Sequence, residues 1–159
     1  MEYKNIIIIL LSIIVILIVV AGVLIFGSGN NAQDISETSF STVYIEGLAF
    51  NIPDDAVPDL ENTESSYYSS INAYEWNGHW IMISVSSSNQ YTEIPEGLYT
   101  KLSDEHSVNI KGHDGLIAEV QFSGYYRFAY VDGGHGADIT VSDVDSEDEA
   151  IAIMSYILD

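Results

Sequence analysis

Four histidines, His79, His106, His113 and His135, are the imidazoles this sequence offers as metal ligands. Two of them stand beside carboxylates, in Gly112-His113-Asp114-Gly115 and in Asp132-Gly133-Gly134-His135-Gly136. Imidazole and carboxylate together suit a divalent metal. If residues 107–142 form a simple four-strand meander, the first and third turns lie at the same end of the sheet, about 10 Å apart. His113 and Asp114 would then approach Asp132, His135 and Asp138, as a metal-dependent sensor or enzyme would need. The competing reading is that both stretches are turns, in which Asp and Gly serve the backbone and His is a solvated neighbour. That reading is preferred here. No cofactor is expected, with a divalent metal as the alternative.

Aromatic residues form the second chemical signal. Sixteen of the chain's eighteen follow residue 26, and Tyr74, Trp76 and Trp80 flank Asn77-Gly78. Rigid rings give contact area at low entropy cost, so these three are the expected partner contact. Cross-strand ring pairing, worth about 0.2–1 kcal/mol per pair, is the competing and preferred explanation of the rings. Paired acids such as Asp54 and Asp55 carry little weight in so acidic a chain. Asp143-Val-Asp145-Ser-Glu147 resembles the start of a calcium loop, but Asp148 and Met154 stand where Gly and Glu are required. No nucleophile elbow, phosphate loop, dinucleotide fingerprint or His-Glu-x-x-His occurs, so the chain is read as a non-enzyme.

Composition narrows the partners. Twenty-four acids against four basic residues give a net charge of −20 over 159 residues. Lys4, Lys101, Lys111 and Arg127 are too few for phosphate neutralisation, which excludes nucleic acid. A cationic ligand or an envelope protein is the expected partner. No cysteine is present, which removes disulfides, thiolate catalysis and Cys-built metal sites. Asn-x-Ser/Thr sequons are absent as well.

Several elements must position these residues. Residues 6–26 are 21 consecutive positions, all strongly apolar except Ser12 and Gly22. A helix of that length spans about 30 Å, so a transmembrane helix in contact with the lipid bilayer is expected. Lys4 precedes it and no basic residue follows closely, which places leader 1–5 in the cytoplasm and the body outside. Residues 27–39 are rich in Gly, Ser and Asn and read as a flexible linker. The body, 40–159, alternates as strands: a strand pair or bulged strand up to Pro53, an acidic loop 54–66, and a hairpin across Asn77-Gly78. Hairpins across residues 112–115 and 132–136 follow, with Leu98–Glu105 undecided between strand and helical turn. Ser146 and Glu149 form a capping box that opens a C-terminal helix. The expected fold is α+β: a transmembrane helix, then an antiparallel sheet of six or seven strands with the C-terminal helix packed on it.

Phe50-Asn51-Ile52-Pro53, Val108-Asn-Ile-Lys-Gly112 and Phe128-Ala-Tyr130 leading to a Gly turn and terminal helix carry a resemblance. In this order they are similar to small membrane-anchored archaeal and bacterial proteins of unknown function with a PsbP/Mog1-like α+β domain. The resemblance implies fold and topology only. The expectation is therefore a single-pass cell-membrane protein displaying a non-enzymatic acidic domain for binding or assembly at the envelope.

Overall fold

The computed structural model describes residues 38–94, 104–120 and 125–158, which belong to one compact unit, Thr38–Asp159. Ten strands and one helix occur among them: β1 Phe40–Ile45, β2 Leu48–Pro53, β3 Val57–Pro58, β4 Glu64–Ser65, β5 Ser69–Trp76, β6 His79–Ser86, β7 His106–Ile110, β8 His113–Val120, β9 Tyr125–Asp132, β10 His135–Ser142 and α1 Glu147–Ile157. β1 and β2 pair only with each other, while the other eight form one antiparallel sheet in the order β3-β5-β6-β10-β9-β8-β7 with β4 also on β5.

This corrects the expected fold. The described chain is mostly antiparallel sheet with one short terminal helix, and it has two sheets instead of one. Phe40–Pro53 is a separate hairpin, and the acidic stretch read as a loop contributes the two-residue strands β3 and β4 along the outer edge of β5. Leu98–Glu105 falls largely outside the described residues. The single-pass membrane assignment is corrected too. Among the described residues no helix is long and apolar enough to cross a membrane. The 11 residues of α1 open on Glu147, Asp148 and Glu149, and at 1.5 Å per residue they reach only about half of a bilayer core. The segment 6–26 lies outside the described residues. The transmembrane, cell-membrane and topology readings are therefore set aside.

Register explains the layers. Residues paired across strands share a face, so Ile81, Ile83 and Val85 lie beside Val141, Ile139 and Ala137, which lie beside Tyr126, Phe128 and Tyr130. This face is the core, and Ile83, Phe128, Ile139 and Ile117 are fully buried in it. Each such side chain contributes about 1.5–3 kcal/mol. Ile45, Phe50 and Ile52 of the separate hairpin and Ala150, Ile153, Met154 and Ile157 of α1 supply the opposing apolar layer, α1 lying against β2, β7 and β10. Ser146 caps α1 by accepting from the Glu149 amide at 3.2 Å, while Glu149 Oε2 accepts from the Asp145 amide at 2.6 Å. Ser146→Ala is expected to lower stability by about 1 kcal/mol, seen as a lower urea midpoint at unchanged slope. An unchanged midpoint would show that packing alone holds the helix.

The sheet's second face is buried at its centre as well. Ala73, Ser84, Ala118, Ala129 and Thr140 are covered there, together with Asp138, which is 3% exposed. Arg127 Nη2 donates to Asp138 Oδ2 at 3.1 Å, and Asp138 Oδ1 has no hydrogen-bond partner. Burial lifts the Asp138 carboxyl from 3.8 to about 6, against the pull of Arg127.

Candidate functional site

The β5–β6 hairpin turns on Asn77 and Gly78, both at positive φ (53° and 85°). A two-residue turn of that geometry matches the twist of its strands and fixes their register. Trp76 therefore pairs with His79, and Glu75 with Trp80. Because side chains alternate along a strand, the first pair lies on the core face and the second on the opposite one. The two indoles consequently grip the hairpin tip from different sides.

Each indole is pinned by an aspartate. Trp76 Nε1 donates to Asp55 Oδ1 at 2.9 Å, and Trp80 Nε1 donates to Asp59 Oδ2 at 3.0 Å. Asp59 is itself held by the Asn62 side-chain amide at 2.6 Å and by the backbone amides of Glu61 and Asn62. The Asn62 side chain first, and then Trp80, keep the Asp59 carboxyl below its ordinary range, so it stays anionic. Thr63 ties this loop to β5: its hydroxyl donates to the Asp59 carbonyl and accepts from the Ala73 amide. On the other flank, Ser142 Oγ accepts from the Trp80 amide and donates to Asp143 Oδ2 at 2.6 Å. His79 Nδ1 lies 3.2 Å from the Ser142 carbonyl oxygen, which can only accept, so this nitrogen carries the proton. Trp80 also packs its ring against Tyr125, centroids 5.8 Å apart.

At this hairpin tip is a cleft of about 480 Å³, lined by residues 75–80 with Asp55, Val57 and Asp143. That volume lies within the usual range of small-ligand sites. The lining carries three carboxylates, one imidazole and two indoles, with no hydroxyl, thiol or basic chain.

The residues expected to form the site are placed differently. Tyr74 and Trp76 are buried (8% and 4% exposed), and of the three expected contact rings only Trp80 is half-exposed. Tyr67, Tyr68 and Tyr44 are the rings that stand in solvent. The meander β7-β8-β9-β10 does form, and it sets His113, Asp132 and His135 on three neighbouring strands. They nevertheless make no metal set. The turns are Lys111-Gly112 and Gly133-Gly134, so His113 and Asp114 are successive strand residues and point to opposite faces. Asp114 accepts from Asn109 at 2.7 Å, His135 Nδ1 is 2.7 Å from the Ser86 carbonyl, and His113 Nδ1 is 3.9 Å from Asp132 Oδ2. Tyr130, whose ring lies tilted against His113 with centroids 4.8 Å apart, is held protonated by burial. Among the described residues no group of three or more His, Asp or Glu side chains is arranged to hold a metal ion.

Asp55, Asp59 and Asp143 are the residues that sequence reasoning passed over. A signal existed in the two indole N–H groups, which need acceptors wherever the rings are buried. No family model, no curated protein and no solved structure matches this chain, and so these comparisons do not bear on the PsbP/Mog1-like resemblance.

Proposed function

We propose that the unit Thr38–Asp159 is a non-enzymatic binding module, and that the cleft at the β5–β6 tip receives its ligand. One observation carries this reading: both indoles in the cleft wall are fixed by charge-assisted hydrogen bonds from their N–H groups to Asp55 and Asp59. Walls held in place before a ligand arrives lower the ordering cost of binding.

The test is a thermal-shift survey of the full chain against compounds of defined charge: quaternary amines, carboxylic acids and neutral sugars. At least one class is expected to raise the melting temperature of the wild type, since a ligand that binds only the folded state stabilises it by mass action. Trp80→Leu should remove that gain. Asp59→Ala, which leaves the ring in place but frees it, should weaken binding by about tenfold through lost preorganisation. A gain in melting temperature that persists undiminished in both variants would place the binding site elsewhere.

A further inference from the structure

We infer that the ligand of this cleft presents a compact organic ammonium group. The inference rests on the cleft being the binding site and adds the chemistry of what fills it. Asp55, Glu75 and Asp143 line the space with no Lys or Arg among them. The ion pairs of the described residues lie elsewhere: His106 with Glu147, His113 with Asp132, and Arg127 with Asp138. Three carboxylates thus share one small cleft with no Lys or Arg among the described residues lining it, and each keeps acceptor capacity. Asp55 spends one oxygen on Trp76, Asp143 spends one on Ser142, and Glu75 is exposed.

The ring nitrogens that could donate to an anion are largely engaged, though the neutral side-chain amide of Asn77 also lines the cleft. Both indole N–H groups are committed to aspartates, and His79 Nδ1 faces a carbonyl oxygen. The indoles therefore offer the cleft π-faces, which attract positive charge. Trp80 is the accessible ring, and its position is set from behind by Tyr125. A bare metal ion fits poorly, because the space of about 480 Å³ is far larger than an ion and no metal-holding group occurs among the described residues. An alkylammonium group fits both the volume and the mixture of carboxylate and ring. The chain's net charge of −20 would speed its arrival.

Such a group could come from a free amine or from a lysine side chain. The experiment titrates the full chain by calorimetry with choline, with Nα-acetyl-lysine amide, and with 3,3-dimethylbutan-1-ol, the uncharged carbon isostere of choline. At least one cation is expected to bind about tenfold or more tightly than the isostere, which is what a desolvated cation–π contact is worth. Whichever cation binds more tightly identifies the source. Glu75→Gln, at an exposed position, and Asp143→Asn, which suits the positive φ of 55° there, should each weaken binding by roughly threefold at unchanged melting temperature. Rising salt should weaken it further. Equal binding of choline and its isostere would overturn the ammonium inference while leaving the cleft as a binding site. So would silence of both cations while other compounds raise the melting temperature through Trp80. If no compound of any class acts through Trp80, the inference and the binding-module reading fall together.

Discussion

Gly115→Ala is expected to cost about 2–3 kcal/mol of folding stability, although the change adds only one methyl group. Gly115 sits in β8 opposite Tyr130, on the core face. A Cβ built there would lie 2.5 Å from Phe128 Cε2 and 2.7 Å from Phe128 Cζ, and closer still to the Ala129 carbonyl oxygen. Phe128 has nowhere to retreat: it is fully buried and stacked on Tyr130 with ring centroids 5.2 Å apart. The backbone of β9 is held between β8 and β10 by ladders on both sides. Urea unfolding of the wild type and the variant would read the difference as a shift in midpoint. A loss under about 0.5 kcal/mol would mean that β8 and β9 can part without penalty, contrary to the dense packing expected of a core.

The second large effect is a pH dependence centred on Asp138. Its carboxyl is lifted from 3.8 to about 6 by burial, with Arg127 opposing. The folded chain therefore holds this proton more tightly than the unfolded chain does. The resulting stabilisation is complete below pH 3.8 and is lost as the pH rises through about 6. The shift corresponds to about 3 kcal/mol across that window. Asp138→Asn cannot titrate, so it shifts stability by a constant offset and removes the slope. The stability of the wild type minus that of the variant should fall by about 3 kcal/mol between about pH 3 and pH 8. Taking the difference cancels the repulsion among the many other acids, which also changes with pH. A flat or rising difference would mean that Arg127 keeps the carboxylate ionised in spite of its burial.

Much of the strand framework was legible. Asn77-Gly78 announced its hairpin because Asn and Gly accept positive φ at little cost, and Ser146 with Glu149 announced the helix because both make the capping contacts. The other turns were harder. Lys111 adopts φ 52° and Glu46 adopts φ 48°, which few residues of those types do. Reading residues 112–115 as the turn displaced it by one residue. His113 and Asp114 thereby became successive strand residues, so Asp114 faces away from His113, Asp132 and His135.

The second sheet face was not legible either. Ala137, Ile139 and Val141 alternate with Asp138 and Thr140, the usual mark of one wet face, yet both of those polar residues are buried. Nothing local in the sequence announces the Arg127–Asp138 pair that occupies it. The cleft was half visible: Trp76 and Trp80 drew notice, while their aspartate partners lie 21 residues upstream in an unpatterned loop. Contacts of that separation depend on how β3 and β4 fold back along β5, which no short-range periodicity encodes.

The central claim is that ligand binds in the cleft at the β5–β6 tip against Trp80, and the composition offers a direct way to test it. The chain contains two tryptophans, Trp76 and Trp80, and both line the cleft. Full-length protein carrying 5-fluorotryptophan should give two ¹⁹F resonances. On titration with choline, the resonance assigned to Trp80 by its absence from Trp80→Leu should move saturably, and the buried Trp76 should move less. Binding detected by calorimetry while both resonances stay fixed would contradict the account.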